Sequence, residues 1–510
     1  MKIELDRDSE KPLYAQIRDT IIAAVNNKEF KPGEKLPTIS ALSKELDITS
    51  ATVIRAFEDL TKDNYITSQV GRGTFINDRD LTNTVANAQS SPFFHSPLEP
   101  ASPEFALAAR KLRMGIAGSL NSLNVLLNRP NMISFLSGVP DPEIADPEML
   151  KRNTIKALKR GQQGYQGYAE GMGMKELRKI IAKRFTDNGT PITPEHVLIT
   201  NGSQQAAAII AQYSLENRLR IICETPCYMG IPNAFGAIGH WVESLARDEY
   251  GPIPQKFSRF SDGKRSILYL CTMLHIPMGT DISPERTEMV KDWAINQNSL
   301  VISDETYHDL HFDEKLPASM FDKFGQGRTI VIGSMSKALM CGLRIGWVIA
   351  NPEMINSFLS LKRAMDIGGA PLMQGIAISI FESGDYDRHL EIARKHYMVR
   401  RDATLEALKK YMPEQVKWTT PRGSMHMWVE LPRGYSSIAL FLLAVERGVA
   451  IIPGPQMDVD HRFINGFRLS YGSTPVSQIQ EGIELLADAV RSLLKNPPAD
   501  PGLTGLGDFI

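Results

Sequence analysis

A lysine at the mouth of a buried strand can serve as a nucleophile once burial weakens its hold on a proton. Lys337 occupies such a place. It follows the apolar run Thr329-Ile330-Val331-Ile332-Gly333 and is flanked by hydroxyls in Ser334-Met335-Ser336-Lys337. Arg344 comes soon after, inside Gly342-Leu343-Arg344-Ile345-Gly346. A second run, Leu300-Val301-Ile302-Ser303, delivers Asp304, with Tyr307 just beyond it. A third, Val197-Leu198-Ile199-Thr200, delivers Asn201-Gly202-Ser203-Gln204-Gln205 ahead of an alanine-rich stretch. Free amides at the start of a helix suit a phosphate. Tyr228, in Glu224-Thr225-Pro226-Cys227-Tyr228, offers an aromatic face. Taken singly, each feature is ordinary. A lysine is usually solvated, a carboxylate at a strand end is usually a helix cap, and many such turns bind nothing.

The elements that carry these residues bring them together. The apolar runs, with 219–223 and 266–271, alternate with helical segments, which predicts a parallel sheet covered on both faces. In such sheets the chemistry collects at the carboxyl ends of the strands. An amine, an acid, a ring-hydroxyl donor, a phosphate cradle and a stacking ring are together what pyridoxal phosphate (PLP) needs. Lys337 would form the internal aldimine and Asp304 would keep the ring nitrogen protonated. Tyr307 would donate to the ring hydroxyl. Ser203, Gln204, Ser334, Ser336 and Arg344 would hold the phosphate, with Tyr228 stacked on the ring.

The first 77 residues have another character. Apolar positions Leu13, Ile17, Ile21, Ile22 and Val25 share one helical face. A turn at Lys31-Pro32-Gly33 precedes a second helix with Ile39, Leu42 and Leu46, and Thr49 is placed to cap a third with Val53, Ile54, Phe57 and Leu60. Residues 65–69 and 73–76 alternate as two strands. A winged helix-turn-helix of this kind would set its third helix in the major groove, presenting Ser50, Thr52 and Arg55, with Thr38 on a phosphate and Arg72 at the wing tip in the minor groove. Residues 1–77 hold 11 Lys+Arg against 12 Asp+Glu. Bulk charge therefore adds little, and DNA affinity would rest on a dimer.

Composition sets the outer bounds. The 510 residues carry 57 Lys+Arg and 58 Asp+Glu, 43% hydrophobic and 23% charged, which excludes disorder as the main state. The four cysteines, Cys223, Cys227, Cys271 and Cys341, exclude a disulfide scaffold, and their spacing makes no zinc site. With no membrane-length apolar run and no signal-peptide layout at the N-terminus, a cytoplasmic protein is expected. The division expected is 1–77 winged helix, 78–130 linker with a helix near 104–116, 131–495 PLP-binding domain and 496–510 loose tail.

Two resemblances sharpen this reading. Lys31-Pro32-Gly33-Glu34-Lys35-Leu36-Pro37-Thr38, Leu42-Ser43-Lys44-Glu45-Leu46, 52–60 and Gly71-Arg72-Gly73-Thr74-Phe75 resemble the GntR-type winged helix of bacterial regulators. It departs in having Ile39 and Ser40 where that family usually has an arginine or similar donor. Residues 131–495 resemble fold-type I aminotransferases of class I/II, a large mainly parallel-sheet domain plus a smaller α+β domain. The resemblance rests on Ser334 to Gly346, on Asp304-Glu305-Thr306-Tyr307, on 167–178, and on Val449 to Pro455 with 466–471. It implies that Tyr168 reaches the cofactor phosphate of a second subunit, hence a homodimer, and that Arg468 clamps a substrate α-carboxylate. It also exposes a departure. Where the family has Asn-Pro-Thr-Gly, with the asparagine donating to the ring hydroxyl, this chain reads His275-Ile276-Pro277-Met278-Gly279. Ile276 cannot donate, which leaves Tyr307 as main partner of that oxygen. His275 is more often a packed neighbour than a substitute donor.

The two domains in this order resemble the MocR class of GntR regulators. That resemblance implies a PLP-dependent, DNA-binding transcription regulator whose effector is an amino compound or PLP itself. Ser137–Val139 and the Tyr307–His308 loop would form the side-chain pocket. The alternative is a working aminotransferase with an accessory DNA-binding domain.

Overall fold

The computed structural model describes the chain except residues 1–2, 4, 8, 10, 27–28, 31–33, 63–64, 70–72, 77–131, 161–164, 166, 314, 461–462 and 496–510. Two compact units divide within 77–131, at Ala101. The segments expected as linker and tail, the helix near 104–116, and Arg72 lie outside the described residues.

In the first unit, helices α1 (Leu13–Asn26), α2 (Ile39–Glu45) and α3 (Ser50–Lys62) precede antiparallel strands β1 (Ile66–Gln69) and β2 (Gly73–Ile76). Thr38 caps α2 by accepting from Ala41 N at 3.2 Å, the usual use of a hydroxyl there. Thr49 bonds the Thr52 hydroxyl at 2.9 Å beside the start of α3. Asp47, at φ +51°, makes the tight turn between α2 and α3. Ile17, Ile21, Val53, Phe57, Leu60 and Ile76 close one small core.

The second unit is built on an eight-stranded sheet. In chain order its strands are β3 (Val197–Thr200), β4 (Arg220–Thr225), β5 (Val242–Asp248), β6 (Gly251–Pro252), β7 (Ser266–Leu270), β8 (Leu300–Asp304), β9 (Thr329–Ser334) and β10 (Gly346–Ile349). Their spatial order is β3-β10-β9-β8-β7-β4-β5-β6. The central pairs β9–β8, β8–β7, β7–β4 and β4–β5 are parallel. Every residue of β3, β7, β8 and β9 is buried, as continuous apolar runs require of a sheet covered on both faces.

The sheet departs from all-parallel at β10, which runs antiparallel to both β9 and β3. The reason is connection length. Only residues 335–345 join β9 to β10, too few for a helical crossover, so the chain turns back beside the strand it has left. Lys337 and Arg344 lie on this return. Pairing of Gly346 with Thr200 then brings the return against the start of helix α4 (Ser203–Glu216). A Cβ at Gly346 would stand 2.6 Å from Gly202 C, so the approach requires glycine.

A second sheet is antiparallel throughout: Lys417–Trp418 (β11), His426–Glu430 (β12), Ile452–Pro453 (β13) and Gly466–Ser470 (β14), ordered β11-β12-β14-β13. Helices α5 (Asp385–Tyr411) and α6 (Val476–Lys495) belong to this smaller part. Among the described residues no helix is long and apolar enough to cross a membrane.

Candidate cofactor site

Asp304 ends β8 fully buried, 3% exposed. Its carboxylate accepts from Tyr269 Oη at 3.0 Å, from Thr306 N at 3.0 Å and from the Thr306 hydroxyl. Burial pushes its pKa up; the Thr306 and Tyr269 donors and the charge of Lys337 oppose that rise. On the neighbouring strand β9, Ser334 caps one helical turn, Met335–Ala338, by accepting from Ser336 N at 3.1 Å. That turn carries Lys337, whose Nζ donates to Gly138 O at 2.7 Å. Burial, joined by the Arg468 charge and opposed by Cys341 and Asp304, draws the lysine pKa down, toward a reactive neutral amine.

Tyr307 is buried with its hydroxyl 3.0 Å from His426 Nε2. His426 Nδ1 lies 2.9 Å from Ser470 Oγ. These two residues are direct cross-strand partners on β12 and β14. Burial drives the His426 pKa far down, and Arg468 and Lys337 push it the same way, so the ring is neutral. Arg468, two residues before Ser470 on β14, donates Nη2 to Leu136 O at 2.7 Å, while its Nε is buried without a partner.

The turn expected to hold a phosphate has two sides. Gly202 sits at φ +80°, ψ 173°, just before α4, whose first residues are Ser203 and Gln204. Arg344, itself left-handed at φ +53°, donates Nη2 to Asn201 O at 2.8 Å and is exposed. Gln204 Nε2 is turned to Gly230 O at 2.7 Å. The half-buried Tyr228 lies over Gly230, where a Cβ would meet its ring at 2.4 Å. Burial raises the Tyr228 pKa, with the charge of Asp304 adding to the rise and those of Arg468 and Arg344 opposing it.

Other expected residues lie elsewhere. Tyr168 is 77% exposed on the single chain. His275 is a packed neighbour: Nδ1 accepts from Met278 N at 3.3 Å, and Nε2 faces Glu224 at 3.5 Å beside the buried Glu224–Arg247 pair at 3.0 Å. Ile276 is buried. Of the residues expected to shape a side-chain pocket, 137–139 adjoin Lys337 through Gly138, but His308 turns away. Its Nε2 lies 2.8 Å from Pro317 O and its Nδ1 3.1 Å from Asp309, which raises its pKa to about 9 against the pull of burial. The four cysteines are free. On the first unit, Thr38, Ser50 and Arg55 are exposed and Thr52 is half-buried. Ser50 Oγ touches Ser43 Oγ at 3.3 Å, and the Arg55 guanidinium lies 4.1 Å from the Tyr14 ring centre.

Residues 131–486 match the family of class I and II aminotransferases. The chain belongs to that family. Residues 13–76 of this aminotransferase-class chain match the gntR family of bacterial regulatory proteins, so it is a regulator–aminotransferase fusion. It is 27% identical over 486 residues to the uncharacterized HTH-type transcriptional regulator YdfD of Bacillus subtilis, covering 94% of this chain and 97% of that one. It is 30% identical over 382 residues to 2-aminoadipate transaminase of Thermus thermophilus, covering 74% and 95%. The α-aminoadipate aminotransferase LysN of Thermus thermophilus, solved with N-(5'-phosphopyridoxyl)-L-leucine, superposes with a TM-score of 0.66 at 29% identity, covering 73% and 95%.

The cofactor of the family, and of this chain, is pyridoxal phosphate. The residues present fit it. Gly202 lacks a Cβ that would lie 2.6 Å from Arg344 Nη2, Ser336 Oγ is buried without a partner, and an amine on the turn after β9 and a carboxylate at the end of β8 belong to adjacent strands. Tyr269, His426 and Ser470 are members of the site that sequence reasoning misses, whereas Gly138 lies in the expected stretch 137–139. For His426 a signal exists, a lone histidine in the apolar strand Met425-His426-Met427-Trp428-Val429. For the others there is none.

Proposed function

We propose that this chain is a DNA-binding transcription regulator that holds PLP on Lys337 and responds to an amino compound, or to PLP itself. The observation that carries this is the juxtaposition of the half-buried Lys337 amine, whose pKa burial draws down, with the buried Asp304 carboxylate at the end of the adjacent strand. When bound, PLP supplies an electrophilic aldehyde carbon and an electron-withdrawing ring. Lys337 Nζ is the amine that links to it. Asp304 keeps a proton on the ring nitrogen, which a neutral side chain could not do. Ser203, Gln204, Ser334, Ser336 and Arg344 bind the phosphate, and Tyr228 covers the ring. Tyr307 holds a proton at the ring hydroxyl. Arg468 takes the carboxylate of the amino compound, and Tyr168 completes the phosphate site of a second copy in a homodimer. An effector competes with Lys337 for the aldehyde carbon and can shift the protein only by binding its two states unequally. In the first unit, Thr38, Ser50, Thr52, Arg55 and Arg72 contact DNA.

Ile276 in place of a donor favours sensing over rapid turnover. The second reading, a working aminotransferase, is favoured by Arg468, whose guanidinium is set for a carboxylate. One experiment tests both. The purified chain is incubated with PLP and followed by visible absorbance, then titrated with amino acids with and without an oxo acid. Lys337→Ala should abolish the visible band, and Arg468→Ala should keep the band but lose the response to amino acids. Turnover with no DNA retardation would replace regulation by the second reading, and a protein that stays colourless with PLP would refute both.

A further inference from the structure

The Tyr307 hydroxyl has one hydrogen, and where that hydrogen points decides whether the tyrosine can donate into the site. It is shared with a two-residue chain behind it: Tyr307 Oη to His426 Nε2 at 3.0 Å, and His426 Nδ1 to Ser470 Oγ at 2.9 Å. His426 and Ser470 are 1% and 0% exposed, so neither has solvent to turn to. The charges facing His426 are those of Arg468, from β14, and Lys337, from the turn after β9. Both are positive, and with burial they keep the imidazole neutral, carrying one ring hydrogen.

Two arrangements are then possible. If Nδ1 carries the hydrogen, it donates to Ser470, the Tyr307 hydrogen is drawn back onto Nε2, and the buried serine hydrogen has nowhere to go. His426 is the side-chain hydrogen-bond partner of Ser470 Oγ. If Nε2 carries it, the hydrogen left over is the tyrosine's and not the serine's. Ser470 donates to Nδ1, Nε2 donates to Tyr307 Oη, and the tyrosine hydrogen is free to point toward the cleft that holds Lys337. Each arrangement leaves one hydrogen over, but only the second places it where a bound acceptor, the ring oxygen of PLP, can take it, so the cofactor-loaded site selects the second.

We propose that His426, braced by Ser470, is a positioning residue that turns the Tyr307 hydroxyl hydrogen toward the cofactor's ring oxygen, supplying the donor that Ile276 cannot. This rests on the PLP reading of the site. Gly138 belongs to the same device. Its carbonyl accepts from Lys337, and a Cβ there would stand 3.0 Å from His426 Cε1, so glycine lets the histidine reach the tyrosine.

A donor at the ring oxygen draws negative charge from it and lowers the proton affinity of Lys337 Nζ. Losing the donor should hold that proton to higher pH. The test uses the full chain loaded with PLP, as wild type, His426→Phe, His426→Gln and Ser470→Ala. The readouts are the pH midpoint of the visible band and the PLP dissociation constant. Complete loss of a hydrogen bond to a charged group, converted at the free energy of one pKa unit, would move the midpoint up by about one to two units; His426→Phe, which leaves the Tyr307 hydroxyl present but unoriented, should move it up by a measurable part of that. Glutamine, which can place an N–H near the Nε2 position, should recover at least half of it. Ser470→Ala should shift the midpoint the same way by less, and it stands in should His426→Phe not fold. A folded, PLP-loaded His426→Phe or Ser470→Ala with an unmoved midpoint overturns the relay. Equal shifts in the phenylalanine and glutamine variants overturn it too, because packing alone would produce that. A wild type that forms no band with PLP overturns instead the reading on which the relay rests.

Discussion

Asp304→Asn keeps the volume of the side chain and removes its charge. The native carboxylate accepts three donors, Tyr269 Oη, Thr306 N and the Thr306 hydroxyl. An amide has one acceptor oxygen, so its NH2 must face one of those donors, at about 1–3 kcal/mol for the bond left unmade. Toward the ring nitrogen it forfeits a charge-assisted hydrogen bond, about 1.5–3 kcal/mol. At about 1.4 kcal/mol per decade, the second loss alone weakens PLP binding roughly 10- to 150-fold. Titration of the bare protein with PLP, followed by visible absorbance, measures it. Tyr269→Phe should cost only a few-fold alone and nothing further in the Asp304→Asn background, because Tyr269 acts through the carboxylate. Affinity within threefold of wild type for Asp304→Asn, or additive losses in the double variant, would refute the assignment. The pH dependence has a definite sign. Burial raises the Asp304 pKa from its ordinary 3.8, so PLP affinity falls as pH drops through the raised value. Folding responds in the opposite sense. Above 3.8 the unfolded chain has released a proton that the folded chain still holds, so stability declines as pH climbs through that window, and Asp304→Asn should flatten the decline.

Gly202→Ala meets two obstacles, a backbone conformation reserved for glycine, costing about 1–3 kcal/mol, and a Cβ 2.6 Å from Arg344 Nη2. The urea midpoint should fall and PLP affinity should drop at least tenfold; unchanged affinity would remove this turn from the phosphate cradle. Arg55→Ala should weaken DNA retardation and lower the slope of log affinity against log salt by about 1 where the guanidinium neutralises one phosphate. It should also destabilise the first unit by about 0.5–1 kcal/mol, because no cation then lies over the Tyr14 ring. Equal retardation at every salt concentration would take Arg55 off the DNA face.

What is legible in the sequence is what local pattern controls. Runs such as Ile330-Val331-Ile332 are wholly apolar because both faces of β9 are covered, and they announce the strand with its carboxyl end. Strand β5, Val242–Asp248, is not legible because Glu243, Ser244 and Arg247 interrupt its apolar pattern. Arg247 is nonetheless buried, which its pairing with Glu224, from a neighbouring strand, and the bond from its Nε to Asp248 O make tolerable. The reversal of β10 is implicit in the short connection 335–345, although an apolar run carries no direction.

The same distinction separates the residues of the site that can be named from sequence from those that cannot. Lys337, Asp304 and Gly202 stand at or just beyond strand ends, so position in the chain fixes position in the site. His426 and Ser470 sit inside strands, far apart in sequence, and acquire meaning only from the antiparallel register that sets them side by side beneath Tyr307. A one-residue slip of β12 against β14 would turn His426 to the other face and leave Tyr307 with an apolar neighbour. The register is secured by the large buried side chains of that sheet, Trp428 opposite Arg468 and Val429 opposite Phe467. The packing of the smaller sheet therefore bears on the chemistry at the larger one. Read from sequence, Ile276 is a simple loss, because the donor that offsets it is built from a strand pairing no local pattern discloses.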